Sequence, residues 1–291
     1  IVGSGDVARR IFSRLAQRHR VYALVRNASR ADEWRAAGAI PLLADLDDRA
    51  SLQRLSGLAE IVLHLAPPPG EGKKDTRTRN LLAALGKGKS LPRQLVYVST
   101  TGVYGDCAGA QIDETRSVNP ESSRAGRRVD AEQCLRQWGA QTGVRVSILR
   151  APGIYAADRL PVERLKKGLP ALAAGDDVFT NHIHADDLAA ACLAALRHAG
   201  ANRAYNVVDD SDLQMAEYFD RVATAFDLPK PPRISRQEAE ATLSPLQMSF
   251  MRESRRIGNR RLKNELKLRL AYPSIDDGIA EACARRNTCL S

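Results

Sequence analysis

Three small residues near the start of the chain constrain its fold more than any other feature. Gly3, Gly5 and Ala8 have the Gly-x-Gly-x-x-Ala spacing of a turn between a strand and a helix. In such a turn the first glycine allows the tight bend, the second leaves room for a pyrophosphate, and the third small residue lets the helix pack against the strand. The spacing predicts a dinucleotide-binding turn, although small residues also make ordinary tight turns.

The residues around this turn support that prediction. Val7, Ile11 and Leu15 recur every fourth position and give the following helix an apolar stripe. The N–H groups at the start of that helix would point at the phosphates. Ile1 and Val2 are too few for a complete strand, so we expect residues upstream of Ile1 to complete it.

Length and composition favour a globular protein of the cytoplasm. The 291 residues suit one large α/β unit or a core domain with a smaller companion, and the hydrophobic content of 44% is ordinary. The five cysteines are scattered without a Cys-x-x-Cys pair, which argues against a disulfide framework or a zinc site. No stretch is long and apolar enough to cross a membrane, so we expect a soluble, cytoplasmic protein with no membrane partner.

The chain carries a formal net charge of +10. Solvated arginines on helix surfaces would account for part of this charge. A nucleic-acid partner is disfavoured, because the basic residues are spread along the chain and aromatic residues are few. An anionic cofactor together with an anionic small-molecule substrate explains the charge more simply.

Three short apolar runs, at 21–25, 40–43 and 61–65, are typical of buried strands. Arg26 directly follows the first run, where a site selective for NAD usually has an acidic residue and an arginine accommodates the 2′-phosphate of NADP. We therefore expect NADP to be preferred, with NAD possible, and an exposed loop arginine is the alternative. Asp45 follows the second run, where it could reach the adenine or cap the next helix.

A fourth run, Leu95–Val98, ends in the segment Ser99-Thr100-Thr101-Gly102-Val103-Tyr104-Gly105. Together with the glycine-rich turn, this segment resembles the extended short-chain dehydrogenase/reductase family, also called the NAD-dependent epimerase/dehydratase family. Further segments resemble the family's motifs in the same order along essentially the whole chain, at 149–155, 181–187 and 204–208.

The resemblance implies an α/β fold with a Rossmann-type doubly wound parallel sheet and a smaller C-terminal substrate-binding (lid) domain. Residues 1–150 would form the NAD(P)-binding domain, which takes back the segment of about 184–208. Residues 151–291, mainly 151–183 and 209–291, would form the smaller domain. A homodimer is a possible assembly.

Helical periodicity and the resemblance predict three further helices, at 187–198, 215–226 and 251–270. The last would be an amphipathic helix with Leu262, Leu266 and Leu270 on one face. Asp186 or Asp187 is the expected N-cap of the first. His182 and His184 alternate on one strand, but no third ligand has a recognisable spacing, and we expect no metal site.

The turn, the strand ends and the resemblance together predict a cofactor site. Its residues are Gly3, Ser4, Gly5, Asp6, Val7, Arg26, Asp45, Leu46, Leu65, Ala66, Pro67, Ser99 and Pro152.

The family's catalytic Tyr-x-x-x-Lys motif is absent from this chain. Counting from Asn119-Pro120, the tyrosine position falls on Arg124 and the lysine position on Arg128. Arginine stays protonated near neutral pH, so neither side chain can act as the general base. Glu132 follows in the same register, and an exposed, ion-paired helix is as compatible with Arg124, Arg128 and Glu132 as an anion-binding role.

Other residues could carry the chemistry. Thr100 keeps the family's substrate-contacting hydroxyl, and Tyr104 and Tyr155 are the available phenols. We predict that Thr100 and Tyr104 are catalytic. The predicted substrate-binding residues are Thr101, Arg124, Arg128 and Tyr155.

The leading hypothesis is an NAD(P)-dependent oxidoreductase or epimerase/dehydratase that acts on a small, polar, anionic substrate such as a sugar nucleotide. A non-catalytic NADP-binding sensor is the alternative. A nucleic-acid-binding protein is a third hypothesis, which a steep salt dependence of oligonucleotide binding would distinguish.

Overall fold

The computed structural model describes residues 1–290, with the side chains of 245, 246, 250 and 287–290 left out. The helices are α1 (Asp6–Leu15), α2 (Ala28–Ala36), α3 (Thr76–Leu85), α4 (Ser123–Thr142), α5 (Val162–Lys166), α6 (Ala185–His198), α7 (Met215–Ala225), α8 (Arg236–Thr242), α9 (Pro245–Phe250), α10 (Arg260–Asn264) and α11 (Ile275–Leu290). Ser51–Leu55 and Thr101–Tyr104 are 3₁₀ helices. Within the described part of the chain, no helix is both long and apolar enough to span a membrane.

The strands are β1 (Tyr22–Val25), β2 (Ile40–Leu43), β3 (Ile61–His64), β4 (Gln94–Thr100), β5 (Gln111–Ile112), β6 (Arg145–Ala151), β7 (Gly153–Tyr155), β8 (Ala171–Leu172), β9 (Phe179–Thr180), β10 (His182–His184), β11 (Arg203–Asn206), β12 (Leu213–Gln214), β13 (Arg233–Ile234) and β14 (Arg256–Ile257).

The main sheet is parallel and is ordered around the start of the chain. Val2 bridges Leu24 of β1 on one side and His64 of β3 on the other. From there the sheet runs outward through β1 to β2, and through β3, β4 and β6 to β11. An order that steps outward on both sides of the first strand is that of the Rossmann fold. The predicted doubly wound parallel sheet is therefore confirmed.

Helices cover both faces of this sheet. One apolar cluster contains Ile11 of α1, Trp34 of α2 and Leu188 of α6. The cluster on the other face contains Leu81 of α3 and Leu135 of α4. Parallel strands covered on both faces must be apolar throughout, which explains the continuous apolar runs in the sequence.

A third apolar cluster lies apart from these two. It is built from β7, β8, α7 and α11, with Leu172, Phe219 and Ile279 among its buried side chains. The helix predicted at 215–226 supplies Phe219 and Val222 to this cluster, as its periodicity indicated. The division of the chain into two domains at about residue 150 stays a prediction.

The predicted amphipathic helix over 251–270 is wrong. Only α10 is helical within that range, and it follows the short strand β14. Leu262, Leu266 and Leu270 are buried as expected, but Lys267 has φ = +53°, a left-handed conformation that a continuous helix cannot contain. Leucines every fourth position therefore mark a buried face here without marking a helix.

The predicted N-cap of α6 is also wrong. His184 occupies that position, and its Nδ1 accepts a hydrogen bond of 3.2 Å from the backbone N–H of Asp186. Asp186 instead pairs with Arg10 of α1, and Asp187 accepts hydrogen bonds from the backbone N–H groups of Ala271 and Tyr272. The two carboxylates thus join α6 to distant segments, which the local sequence does not indicate.

A buried ion pair connects α4 to the middle of the sheet. Arg150 of β6 donates to both carboxylate oxygens of Glu132, at 3.1 and 2.6 Å. The two side chains are only 6% and 5% exposed. Arg150 also donates to the hydroxyl of Tyr104 at 2.9 Å, and that hydroxyl donates to Asn206 at 2.7 Å. Glu132 is therefore not part of an exposed, ion-paired helix face.

Replacing Glu132 by Gln would leave the charge of Arg150 buried without its partner. We expect Glu132→Gln to lower the free energy of unfolding by about 3–5 kcal/mol, measured by urea denaturation. Glu60→Gln is the matched control, because its ion pair with Arg93 lies on the surface, and it should leave the urea midpoint nearly unchanged. Equal midpoints for the two variants would contradict this account.

Candidate active site

The glycine-rich turn packs against the backbone that directly follows the neighbouring strand β3. Gly3 has φ = +95°, and a Cβ placed there would lie 2.4 Å from the backbone nitrogen of Ala66. A Cβ on Gly5 would meet no atom within 4 Å, so the space beside the start of α1 is open. Ala8 is fully buried against the sheet. The first glycine is thus required by close packing and the second faces free space.

Arg26 and Asp45 follow the carboxyl ends of the paired strands β1 and β2. Asp45 accepts a hydrogen bond from the backbone N–H of Asp47 at 3.0 Å, and it does not cap the next helix. Arg77 and, more weakly, Arg26 lower the pKa of the Asp47 carboxyl. Leu46 is buried.

The sequence did not single out Arg30, whose guanidinium donates to the carbonyl of Ser4 in the turn at 3.2 Å.

A cavity of about 1260 Å³ lies between the sheet's carboxyl edge and the third apolar cluster. Ten of the predicted site residues line it: Val7, Leu65, Pro67, Ser99, Thr100, Thr101, Arg124, Arg128, Pro152 and Tyr155. Gly3, Ser4, Gly5 and Asp6 form the adjoining turn, whereas Arg26, Asp45 and Leu46 lie outside the cavity wall at the ends of β1 and β2.

The wall of this cavity is strongly basic. Its basic side chains are Arg124, Arg127, Arg128, Arg159, Arg164, Lys167 and Arg255, and its acidic ones are Glu163 and Glu253. Glu163 pairs with Lys166, and Glu253 pairs with Arg255. An excess of positive charge in a concave site raises the local concentration of anions.

Arg124 and Arg128 both reach the cavity from α4. Arg128 donates to the Tyr97 hydroxyl at 2.9 Å and to the carbonyl of Val98 at 2.8 Å, which holds its guanidinium beside Ser99. Burial raises the pKa of Tyr97 to about 12, against the opposing effect of Arg128. Arg124 lies one helical turn earlier on the cavity wall. This face of α4 therefore presents two cationic side chains to the cavity.

Ser99 has an unmet hydrogen-bonding requirement. Its side chain lines the cavity and is 3% exposed, and its hydroxyl has no partner among the described residues. A buried hydroxyl without a partner is destabilising unless a ligand or water supplies one. The open space at Gly5, the start of α1 and this hydroxyl together fit a nicotinamide dinucleotide that extends along the strand ends.

Neither predicted phenol is available as a base. Tyr104 is 1% exposed, does not line the cavity, and has its hydroxyl engaged by Arg150 and Asn206, which favours a structural role. Tyr155 does line the cavity, but its hydroxyl donates to the carbonyl of Ser274 at 3.2 Å. Burial raises the pKa of both hydroxyls, so both stay protonated at neutral pH.

The structure adds residues that the sequence interpretation missed. His182 and Tyr218 both line the cavity, with ring centroids 4.3 Å apart. Burial lowers the pKa of His182 to about 4, so this imidazole is neutral at pH 7. Its place on β10 beside Gly153 of β7 puts it next to Pro152, but only the pairing of these strands reveals that proximity. Within the described part of the chain, no cluster of three or more His, Cys, Asp or Glu side chains could hold a metal ion.

The sheet order, the turn and the cavity define a dinucleotide-binding Rossmann protein. The model of the NAD dependent epimerase/dehydratase family matches residues 2–208, and the chain belongs to this family of NAD-dependent enzymes. Family membership supports NAD(H) use and an epimerase/dehydratase-type activity. No curated protein matches the chain.

Solved structures with the same fold span nearly the whole chain. A conserved protein of unknown function from Silicibacter pomeroyi is 30% identical, with a TM-score of 0.78 over 98% of this chain and 97% of that one. The UDP-glucose 4-epimerase of Thermotoga maritima, solved with UDP-glucose, is 18% identical, with a TM-score of 0.80 over 99% and 98% of the two chains. The dTDP-glucose 4,6-dehydratase of Bacillus anthracis, solved with NAD, is 14% identical, with a TM-score of 0.78 over 98% and 94%.

The open space at Gly5 makes a specific test of the cofactor site possible. A Cβ there meets no protein atom within 4 Å, so we expect Gly5→Val to fold normally but to fill the space left for the diphosphate. We expect its NAD(H) and NADP(H) affinities, measured by calorimetry, to fall below detection with little change in melting temperature. Gly175→Val, at another open position, should bind as the parent does. Parental affinity in Gly5→Val would rule out this cofactor site.

Proposed function

We propose that this protein is an NADP-preferring oxidoreductase or epimerase/dehydratase that acts on an anionic substrate of the sugar-nucleotide type. The observation that carries the proposal is the pair Arg124 and Arg128, which stand at the positions of the family's tyrosine and lysine and both line the cavity. Two guanidinium groups on one helix face provide several donors for a phosphate or carboxylate. The site thus keeps the family's cofactor scaffold and replaces its proton-transfer pair with an anion-binding one.

The chain's own residues supply distinct parts of the cofactor site. The turn Gly3–Val7 would hold the diphosphate, with Ala66 and Pro67 from the loop after β3 alongside. Arg26 and Asp45, with Leu46, would surround the adenosine half, and Leu65, Ser99 and Pro152 the nicotinamide half. When bound, the nicotinamide ring provides the hydride acceptor or donor that oxidoreduction requires.

The substrate would lie against Thr100, Thr101 and the two arginines. The hydroxyl of Thr100 accepts a hydrogen bond from the backbone N–H of Gly102 at 3.2 Å, which leaves its proton free to be donated to a substrate oxygen. Because arginine does not release its proton, transfer falls to a neutral group of the wall, for which the imidazole of His182 is the candidate. The sugar-nucleotide substrates of the solved neighbours support the substrate class.

Preference for NADP follows from the basic residues near the adenosine half. Arg26 lies directly after β1, and Arg30 holds the carbonyl of Ser4 in the turn. A charge-assisted hydrogen bond to the 2′-phosphate contributes about 1.5–3 kcal/mol, so we expect roughly ten- to hundredfold tighter binding of NADP than of NAD.

Calorimetry on Arg26→Ala tests this preference, since the variant should lose affinity for NADP and keep its affinity for NAD. Arg18→Ala, which removes an exposed arginine beyond the other end of α1, is the control and should keep the parental ratio. Equal affinities of the parent for both cofactors would contradict the preference, and an unchanged ratio in Arg26→Ala would contradict the role of Arg26.

Charge reversal on the cavity wall tests the anion-binding role. We expect Arg124→Glu to weaken the binding of UDP-glucose at least tenfold in the presence of NADP, because a donor becomes a like charge, and to leave the affinity for NADP nearly unchanged. Arg54→Glu makes the same charge change on a surface away from the cavity and should not alter UDP-glucose binding.

The measurements are calorimetric titrations of UDP-glucose and of UDP. Unaltered UDP-glucose binding in Arg124→Glu would exclude Arg124 from the substrate site. Absence of UDP-glucose binding to the parent would contradict the sugar-nucleotide class. Net oxidation or reduction of a substrate can be followed by the absorbance of the reduced cofactor. Epimerisation and dehydration leave the cofactor unchanged overall and are followed by chromatography of the sugar-nucleotide products. Cofactor binding without turnover in either assay would favour the sensor function.

A further inference from the structure

An acidic residue stands where the dinucleotide turn needs positive charge. Asp6 is the first residue of α1 and follows Gly5 directly. A carboxylate there interacts favourably with the helix dipole, but it repels a diphosphate at the same helix end. Binding of a dinucleotide at this turn therefore requires a cation that offsets Asp6.

Two arginines pair with Asp6. Arg10, one turn further along α1, donates from Nε to Oδ2 of Asp6 at 2.8 Å and from Nη1 to Asp186 at 2.7 Å. Although burial acts against the charged form, these hydrogen bonds raise the pKa of Arg10 above its ordinary value. Arg10 is thus shared between two carboxylates, whose charges together exceed its own.

The second arginine comes from the opposite wall of the cavity. Arg159 lies in a turn closed by its backbone hydrogen bond to the carbonyl of Ala156, after β7 and before the buried Leu160 of the third apolar cluster. Its Nη2 is 2.9 Å from Oδ2 of Asp6, and its side chain is 33% exposed. Arg159 lines the cavity together with Val7 of the dinucleotide turn. The ion pair of Arg159 with Asp6 thus joins the region of the third cluster to the start of α1.

We propose that Arg159 binds the diphosphate of the nicotinamide dinucleotide from the side opposite α1. The proposal rests on the cofactor site proposed above. Arg10, Asp6, Asp186 and Arg159 form a group without net charge. A diphosphate beside Gly5 gains a counter-charge when the guanidinium of Arg159 donates to the phosphates from its remaining N–H groups while it stays paired with Asp6. Cofactor binding then holds the 156–160 turn against the dinucleotide turn. Because this turn leads into the third apolar cluster, the contact links the cofactor site to the opposite wall of the cavity.

Ligand binding to the full chain tests this contact without any substrate. A charge-assisted hydrogen bond at a partly exposed site corresponds to about a tenfold change in affinity, so Arg159→Ala should bind NAD⁺, NADP⁺ and ADP-ribose each about tenfold more weakly than the parent. Similar losses for all three are expected because they share the diphosphate. Arg159→Lys keeps the charge but not the forked donor, so its affinities should lie between those of the parent and those of Arg159→Ala.

Lys230→Ala is the control. Lys230 is an exposed side chain after α7 and lies outside the cavity wall, so the variant loses one positive charge and should keep the parental affinities. Thermal unfolding of each variant verifies that the fold is intact, which is expected because Arg159 and Lys230 are exposed side chains.

Hydrogen exchange gives an independent readout at the turn itself. In the parent, saturating NAD⁺ should slow exchange in residues 156–161, and in Arg159→Ala the same degree of saturation should leave exchange there unchanged. Parental affinity in Arg159→Ala, or an equal loss in Lys230→Ala, would overturn the contact. A parent that binds none of the three ligands would overturn the cofactor site together with it.

Discussion

The buried ion pair between Glu132 and Arg150 is the interaction on which the site geometry depends. It joins α4 to β6, and through the hydroxyl of Tyr104 it reaches Asn206 on β11. The helix that it fixes also carries both cavity arginines, so their distance from the strand ends is set by contacts outside the cavity. Removal of one partner from so deeply buried an ion pair is strongly destabilising, because the other charge is left unpaired. The pair therefore fixes the position of α4 more than it adds to the net stability of the fold.

The sequence predicts what is determined locally. Some patterns depend only on residues within one segment, such as the glycine-rich turn, the apolar strands and the arginines in the register of a known motif. The structure has the turn, the strands and the helix that these patterns predict. The chain order of these segments, together with the family resemblance, was enough to predict the Rossmann-type sheet. Gly3 illustrates the limit even there, because its positive φ was foreseeable but its close approach to Ala66 depends on a strand sixty residues away.

What the sequence did not predict depends on contacts between distant segments. Tyr104 belongs to a motif that suggests chemistry, yet its hydroxyl is engaged by Arg150 and Asn206. The leucines of 262–270 are buried as their spacing suggests, but a left-handed residue at Lys267 interrupts the helix. Asp6 and Arg159 lie far apart in sequence, and only the packing of the 156–160 turn against α1 brings them together. In each case the outcome depends on where a side chain points or on a contact between distant segments, which the local sequence does not contain.

The basic wall of the cavity has a consequence for how the protein behaves in solution. A cleft with seven cationic side chains and two acidic ones attracts small inorganic anions when no organic ligand is present. Under the substrate site proposed for Arg124 and Arg128, phosphate, sulfate or citrate in a buffer would compete with the substrate for the two side chains, and rising ionic strength would weaken the attraction at the exposed mouth first. The substrate affinity measured for such a site would therefore depend on the buffer anion.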